Sequence, residues 1–128
     1  MKKKLLIVCF FVIIIAFLVY KYVYKSHRDI SNEKESFAIS VIDLKNDYRK
    51  NDSLANAKYL DKTIVIYGKI TSLDLANRIL SVDTTLSATM KESGVSLNLN
   101  DSIKLKGRFI GYDDLLEEFK MDECSVIK

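Results

Sequence analysis

The stretch Thr63–Ile70 reads TIVIYGKI, and its apolar side chains recur with a period of two. Successive side chains of a β-strand point to opposite faces, so this alternation is typical of a strand with one buried face. The stretch Ser102–Gly111, SIKLKGRFIG, repeats the pattern. The side chains expected to point inward are Ile64, Ile66, Gly68 and Ile70 in the first strand and Ile103, Leu105, Gly107 and Phe109 in the second. These two long strands decide the fold of the second half of the chain.

Shorter stretches with the same alternation lie between and after these two strands. They predict strands at Ile79–Asp83, Leu86–Met90 and Glu118–Ile127. In the last strand Phe119 and Met121 point inward. Cys124 continues that face only if a β-bulge forms at Asp122–Glu123. Residues 91–100 are polar and indicate a loop or a weak helical turn.

Five strands with a loop between the third and the fourth follow the order of a small OB-type β-barrel. Glycine in the middle of a strand costs stability unless the strand bends or approaches another backbone. A barrel of so few strands requires sharp bending, which accounts for Gly68 and Gly107, although a loose β-sandwich could use them too. We therefore predict a mainly β fold, with a five-stranded OB-type β-barrel over residues 55–128.

The segment before the barrel, residues 26–54, is predicted to form a linker and an amphipathic helix. Residues 26–34 are polar, and Asn32 with Glu35 has the form of an N-cap pair. An apolar stripe follows at helical spacing: Phe37, Val41, Leu44 and Tyr48. This stripe predicts a helix of about four turns that packs on the barrel. Asn51 is expected to end that helix and to cap a short second one.

Residues 1–25 contain the most apolar stretch of the chain, LLIVCFFVIIIAFLVYKYVY at Leu5–Tyr24. Its first sixteen residues carry no charge, and thirteen of them are Leu, Ile, Val or Phe. Twenty helical residues span about 30 Å, the thickness of the hydrocarbon core of a bilayer. Aromatic rings and a lysine at the end of the stretch suit the membrane interface: Tyr20, Lys21, Tyr22 and Tyr24. We predict a single-pass transmembrane anchor.

Three alternatives to an anchor fit this stretch less well. A cleaved signal peptide would end in small residues, but bulky Tyr24 stands at the critical position. Acylation as a bacterial lipoprotein would need a small residue before Cys9, and Ile7–Val8 precedes it. A buried core helix is rarely apolar all round. Basic residues flank both ends of the stretch, so the positive-inside rule hardly discriminates, but the short amino-terminal tail favours a domain in the periplasm or outside the cell.

The distribution of charge limits the partners of the domain. The chain has 20 Lys/Arg and 17 Asp/Glu, but six of the basic residues and none of the acidic ones lie in residues 1–28. The remainder therefore carries 14 basic and 17 acidic residues, a net charge of −3. Such a domain lacks the basic excess that drives non-specific binding of nucleic acid. The basic membrane flank suits the headgroups of a lipid bilayer.

No catalytic or metal-binding motif stands out. His27 is the sole histidine and falls in the linker, while Cys9 and Cys124 cannot form a disulfide within the domain. Acidic residues concentrate near the last hairpin, at Asp113, Asp114, Glu117, Glu118, Asp122 and Glu123. They lack the spacing of a Ca²⁺-binding loop. We expect no enzymatic activity and no cofactor.

The stretches Ala57–Ile70, Leu99–Arg108 and Cys124–Ile127 resemble the opening, fourth and closing strands of tRNA-anti-like OB-fold domains. Members of that family are commonly attached to bacterial membranes as lipoproteins or by N-terminal helices. The resemblance covers residues 55–127 and implies an OB fold. It also implies a distant kinship with anticodon-binding domains, but it does not carry tRNA binding over to this chain. Because Cys9 lacks the acceptor context, the chain departs from the lipoprotein version.

The candidate binding site follows from the outward positions of the strands. OB barrels bind through strands two and three and the loops around them, here Ile79–Met90, Leu73–Arg78 and Gly111–Glu117. The outward positions of the first and fourth strands add aromatic and basic side chains. The candidate ligand-binding face consists of Tyr67, Lys69, Arg78, Lys104, Lys106, Arg108 and Tyr112.

These features predict a membrane-anchored, non-catalytic binding module. Its expected partner is an envelope protein or an oligomeric ligand such as a glycan. The alternative is binding of nucleic acid, such as tRNA or single-stranded DNA, because aromatic and basic residues on an OB sheet can stack bases and hold phosphates. A solvent-exposed sheet face also carries polar side chains without any ligand, and lysines there blunt edge-to-edge pairing.

Overall fold

The computed structural model describes residues 1–24 and 28–127. Its helices are α1 (Lys2–Val23), α2 (Val41–Lys50) and α3 (Asp52–Tyr59). Its strands are β1 (Phe37–Ser40), β2 (Thr63–Asp74), β3 (Ile79–Val82), β4 (Leu86–Met90), β5 (Ser102–Asp113) and β6 (Glu118–Ile127). The first residues of the predicted linker, 26–27, lie outside the described residues, and His27 is one of them.

Five strands close into a barrel in the order β2-β3-β4-β6-β5, and β5 pairs with β2 again. The pair β4–β6 is parallel, while the other neighbours in the barrel are antiparallel. Strand β2 is long enough to pair with β5 along its first half and with β3 along its second half. This arrangement confirms the predicted mainly β fold with a five-stranded OB-type barrel.

The two mid-strand glycines stand where another part of the barrel comes too close for a side chain. A Cβ atom on Gly68 would lie 2.5 Å from Asp83 Oδ2 and 2.6 Å from Val82 Cγ1. A Cβ atom on Gly107 would lie 2.5 Å from Cys124 Sγ and 2.9 Å from the Asp122 carbonyl oxygen. Close approach, one of the two reasons expected from the sequence, therefore explains both glycines.

Strand β6 contains the predicted bulge. Lys106 and Arg108 of β5 pair with Ser125 and Asp122, so β6 holds one more residue than β5 between these pairs. Glu123 in the bulge has a φ of 51°, in the left-handed region. Because the extra residue changes the side to which the strand points, Cys124 returns to the interior and is fully buried. Burial raises the pKa of its thiol, which keeps it protonated and unreactive.

The predicted four-turn helix before the barrel is wrong at its beginning. Residues Phe37–Ser40 form β1, which runs parallel to residues 64–67 of β2. Helix α2 begins at Val41, and Ser40 Oγ accepts a hydrogen bond from the Asp43 N–H group at 3.1 Å. Pairing with β2 supplies hydrogen bonds to this stretch, and that long-range contact overrides its helical spacing.

The predicted N-cap pair is also wrong. Asn32 Nδ2 donates to Asp29 Oδ2 at 2.7 Å within a turn, and Glu35 pairs with a lysine of β5. The cap of the second helix is confirmed, because Asn51 Oδ1 accepts a hydrogen bond from the Leu54 N–H group at 3.0 Å. Short polar side chains favour both turns and caps, so composition alone did not separate these two cases.

Helices α2 and α3 cover one end of the barrel. Val41 and Leu44 of α2 are buried in the same core as the barrel strands, as the apolar stripe predicted. The ring of Tyr59 is fully buried and lies 6.2 Å from the ring of Phe109, between centroids. Its hydroxyl donates to Asp47 Oδ2 at 2.6 Å, so the polar end of this buried side chain is satisfied.

Residues 28–36, which we call the strap, are bound to the outside of the barrel. Arg28 donates to both carboxylate oxygens of Glu33, at 2.7 and 2.6 Å, and to the Asp61 carbonyl oxygen at 2.9 Å. Glu33 accepts a further hydrogen bond from Thr63 Oγ1 at 2.8 Å. The Ser36 N–H group donates to the Thr63 carbonyl oxygen at 2.8 Å. The described part of the predicted linker is therefore tied to the start of β2.

The strap also shields an apolar spot on the outer surface of the barrel. Ile30 is 1% exposed, and Val65, which points away from the main core, is 5% exposed. Lys106 Nζ donates to the Ser31 carbonyl oxygen at 3.3 Å. Neither Ile30 nor Val65 belongs to the main core cluster, so both apolar side chains are buried outside it.

We predict that the strap is weakened by acid. Hydrogen bonds from Arg28 and then from Thr63 hold the pKa of Glu33 below its usual value. A carboxyl group with a lowered folded-state pKa stabilises the fold above its unfolded pKa of about 4.3, and this stabilisation is lost as the pH falls through the folded value. The Glu33→Gln variant should therefore melt at a lower temperature than the wild type at neutral pH, with a smaller difference in acid.

Thermal unfolding of the full chain over a series of pH values measures this difference. Glu92→Gln, which changes an exposed carboxylate in the loop after β4, is the matched control. If the difference in melting temperature between Glu33→Gln and the wild type stayed constant across the acid range, the carboxylate charge of Glu33 would contribute nothing to stability.

Helix α1 is apolar enough and long enough to cross a bilayer, and it has no buried residue. The predicted anchor is thus helical over nearly all of its length. Lys21 lies in its last turn, and Tyr22 is exposed. The rings of Tyr20 and Tyr24 lie 4.5 Å apart, between centroids. These four side chains occupy the end of the helix that leads to the barrel.

Candidate ligand-binding groove

Strands β2 and β5 form a shallow groove on the outside of the barrel. Their antiparallel register places Tyr67 opposite Lys104 and Lys69 opposite Ser102. Side chains at such positions share one face and lie about 5 Å apart at Cβ. The groove has a volume of about 740 Å³ and is open to solvent. It is lined by Ser40, Ile42, Tyr67, Gly68, Lys69, Asp83, Ser102, Ile103, Lys104 and Ile127.

The groove combines apolar and cationic groups. Tyr67 is 41% exposed, and Ile42 at the start of α2 is 65% exposed. Within residues 1–24 and 28–127, neither Lys69 nor Lys104 has a carboxylate oxygen within 4.0 Å. Their ammonium groups are therefore available to an anionic ligand that also contacts the apolar side chains.

Asp83 contributes the negative charge of the groove. Its Oδ1 accepts a hydrogen bond from the Lys69 N–H group at 3.0 Å, and its N–H group donates to the Lys69 carbonyl oxygen at 2.9 Å. Asp83 and Thr84 have φ values of 47° and 62°, and this turn holds the Asp83 carboxylate over Gly68. Sequence reasoning missed Ile42 as a groove residue because it comes from α2. It included Asp83 in the region Ile79–Met90 but did not place it beside Tyr67 and Lys69.

Two basic residues of the predicted face are engaged within the protein. Lys106 lies 3.7 Å from Glu35 of the strap, and its side chain is only 14% exposed. Arg108 donates to both carboxylate oxygens of Asp122, at 2.8 and 2.5 Å. These ion pairs raise the pKa of Arg108 further, so its charge is permanent but compensated. Lys106 and Arg108 lie on the same strand as Lys104, but their charges are paired with carboxylates of the protein and are not available to a ligand.

The other two predicted residues lie away from the groove. Arg78 ends the turn between β2 and β3 with a φ of 58°, and it donates to the Lys91 carbonyl oxygen at 3.1 Å. Tyr112 lines a separate cavity of about 500 Å³ between α2 and the β5–β6 hairpin. Tyr48 lies beside it, 6.2 Å away between ring centroids, and burial raises the pKa of Tyr48 to about 12. The seven predicted side chains are thus divided among separate surfaces.

The outer face of β3 and β4 offers little for stacking a base. Its outward residues form two cross-strand pairs, Ile79 with Thr89 and Ser81 with Ser87. The described residues of these two strands include no aromatic side chain. Apart from Ile79, the outward side chains of β3 and β4 are therefore small hydroxyl groups, which offer a ligand hydrogen bonds.

The acidic residues near the last hairpin do not form a single cluster. Asp113 accepts hydrogen bonds from the Leu115 and Leu116 N–H groups and lies 3.0 Å from Lys120. The ion pair with Lys120 and these hydrogen bonds hold the pKa of Asp113 below its usual value. Asp122 is occupied by Arg108. Among the described residues, no three side chains of Asp, Glu, His or Cys come together to hold a metal ion.

The closed barrel defines an OB-fold protein with an open groove on its outer wall, preceded by a helix that is apolar enough to span a membrane. The chain belongs to the tRNA_anti-like family, whose model matches residues 1–112. The predicted resemblance to that family is thereby confirmed, and the match includes the segments Ala57–Ile70 and Leu99–Arg108. No curated protein is similar enough in sequence to count as a relative.

A solved structure shares the fold. It is a lipoprotein from Klebsiella pneumoniae subsp. pneumoniae MGH 78578, whose name proposes nucleic-acid binding. The two proteins superpose with a TM-score of 0.52 at 17% sequence identity, over 71% of this chain and 91% of the other. At this level of identity the likeness concerns the fold alone.

Proposed function

We propose that this protein is a non-catalytic binding module, held at the membrane by α1, that recognises an acidic segment of another envelope protein. The observation that carries the proposal is the groove between β2 and β5. There Tyr67 and Ile42 are exposed beside Lys69 and Lys104, neither of which forms an ion pair within the described residues, so the groove carries two positive charges against the one negative charge of Asp83. An extended peptide with carboxylate and apolar side chains is complementary to such a surface.

Charge favours a protein partner over nucleic acid. The chain after residue 28 carries 14 basic and 17 acidic residues. Further along β5, Lys106 and Arg108 are paired with carboxylates, so the row of cations that a phosphate backbone would follow is interrupted. Lys69 and Lys104 favour a negatively charged ligand. An oligomeric glycan without acidic groups would gain no affinity from these two charges.

Nucleic-acid binding is the second candidate function. Tyr67 lies opposite Lys104 on an OB sheet, and an aromatic ring beside a cation is how such sheets hold single strands. The name of the Klebsiella pneumoniae lipoprotein points in the same direction. Because release of counterions dominates such binding, affinity for a single-stranded oligonucleotide would fall steeply with salt.

The proposal includes a membrane topology. Helix α1 would cross the bilayer once, with the interfacial residues Tyr20, Lys21, Tyr22 and Tyr24 on the side of the barrel. The barrel would then lie in the periplasm or outside the cell. Absence of catalysis belongs to the same proposal, since the carboxylates Asp113 and Asp122 serve ion pairs of the fold.

A photo-crosslinking side chain at position 67 of the full-length protein, in its own cells, tests the function. We expect it to capture an envelope protein, whereas the same group at Thr89, exposed on β4, should not. The double variant Lys69→Glu/Lys104→Glu reverses the two charges that would attract an acidic segment. It should therefore weaken capture by about tenfold or more, which corresponds to a loss of about 1.4 kcal/mol of interaction. Lys45→Glu/Arg49→Glu, which reverses two charges of α2 at the separate cavity, is the matched control.

Each outcome favours one function. Loss of capture in the groove variant alone supports recognition of an acidic protein segment. Capture of RNA or DNA at position 67, with binding that weakens steeply in salt, supports the second candidate. Equal capture at positions 67 and 89 would remove the groove as the binding surface.

A further inference from the structure

We infer that one end of the barrel rests on the lipid headgroups of the bilayer that α1 crosses. This surface, which we call the tether-end surface, consists of Leu60, Lys62 and Ile110. The inference rests on the membrane attachment in the proposed function. It adds a surface that contacts lipid to the groove that binds a partner, and it places the groove at a distance from the bilayer.

The length of the connection limits how far the barrel can be from the membrane. Helix α1 ends at Val23 with Tyr24 as its cap, and Arg28 is already bound to the barrel through the Asp61 carbonyl oxygen at 2.9 Å. Four residue steps separate the Cα atoms of Tyr24 and Arg28, which covers at most about 14 Å. The interfacial region beyond the hydrocarbon core is about 5–7 Å thick on each side. The part of the barrel around Asp61 must therefore be its membrane-proximal end.

The strap keeps this end in place. Glu33 binds both Arg28 and Thr63, so the first residues after the connection are fixed to the barrel at two points. The Arg28 guanidinium also lies 3.4 Å from the Asp61 carboxylate, which compensates part of the acidic charge at this end of the barrel. If residues 28–36 were free of the barrel, the barrel could turn widely relative to α1. Because the strap is bound to the barrel, this movement is restricted.

The side chains around Asp61 suit a headgroup layer. Leu60 and Ile110 are each 47% exposed, although both are aliphatic. Lys62 is exposed and has no carboxylate within 4.0 Å among the described residues. Backbone hydrogen bonds of 2.9 Å join Asp61 and Lys62 to Phe109, which holds Ile110 beside them. Aliphatic groups flanking a lysine insert at a membrane interface while the ammonium group stays in water.

The groove then lies at a distance from the surface that contacts the bilayer. Thr63, bound by the strap, and Tyr67, in the groove, are four residues apart on β2. Four residues of a strand cover about 13 Å. The groove is thus displaced from the tether-end surface along the strand and remains open to a partner while the barrel contacts lipid.

Single-tryptophan variants test the inference, because the chain contains no tryptophan. Ile110→Trp and Leu60→Trp report on the tether-end surface, and Ile42→Trp, in the groove, is the matched control. Each full-length variant is reconstituted into phosphatidylcholine vesicles, with and without lipids brominated near the glycerol end of the acyl chains. We expect the brominated lipid to quench Ile110→Trp and Leu60→Trp several times more than Ile42→Trp, with a blue-shifted emission for the first two.

Flotation of the same vesicles separates the two hypotheses. Protein that does not float with lipid overturns the membrane attachment, and the inference with it. Protein that floats but shows equal quenching at the three positions overturns the inference alone. Ile110→Trp and Leu60→Trp change different elements, and the sheet signal in circular dichroism identifies a variant that is misfolded, so one folded variant is sufficient to decide.

Discussion

Replacing Gly107 with alanine should lower the free energy of unfolding by about 2–3 kcal/mol, the cost of forcing extra volume into a packed core. The new methyl group would lie 2.5 Å from Cys124 Sγ and 2.9 Å from the Asp122 carbonyl oxygen. The second contact is with backbone inside the β6 bulge, which cannot move without disturbing the pairing of β6 with β4 and β5. A loss of this size is a large part of the about 5–15 kcal/mol that stabilises a typical domain.

Denaturant unfolding of the full chain in detergent, followed by circular dichroism of the sheet, measures this loss. Lys104→Ala on the exposed face of the same strand is the control and should change stability little. Gly107→Ala/Cys124→Ala removes the sulfur contact but keeps the contact with the Asp122 carbonyl, so it should recover only part of the stability. Wild-type stability in Gly107→Ala would mean that the bulge yields easily, contrary to our explanation of this glycine.

Phe109→Ala is expected to have the largest effect in the chain, about 3–5 kcal/mol of lost stability. The ring is fully buried and lies 6.0–6.2 Å, between centroids, from the rings of Tyr48, Tyr59 and Phe119. It therefore joins the two helices to the barrel, and removing it leaves a cavity at the junction. The backbone of Phe109 also pairs with Asp61 and Lys62, so repacking there is restricted.

The neighbouring residue is the matched control for this prediction. Ile110→Ala removes a side chain of similar size that is 47% exposed, so it should cost far less. Thermal and denaturant unfolding of both variants give the comparison. Equal losses for the two variants would show that the aromatic cluster does not hold the helices to the barrel.

Much of the barrel was predictable because strand alternation is a local signal. The outward lysines and inward aliphatic residues of β5 specify which face is buried. The mid-strand position of Gly107 indicates a bend or a close approach, and the structure shows the close approach. Even the bulge in β6 followed from the sequence, since Cys124 reaches the interior only if Asp122–Glu123 holds an extra residue.

The stretch Phe37–Ser40 was predicted wrongly because its spacing fits two structures. Phe37 and Val41 are four residues apart, as in a helix, while Phe37 and Ile39 are two apart, as in a strand. The choice is made by pairing with Ile64–Tyr67, more than twenty residues later. A contact so distant in the sequence leaves no trace in the local period.

The sequence by itself determined the apolar helix and the barrel strands, because each depends on residues close together in the chain. The reason for Gly107 came from the tertiary structure, since Asp122 and Cys124 lie on another strand. Only the tertiary structure decided which basic side chains are available. Lys104 and Lys106 occupy equivalent outward positions on β5, yet Lys106 is held by Glu35 and Ser31 of the strap. Since the strap meets β5 only after folding, the difference in availability between Lys104 and Lys106 is a product of that long-range contact.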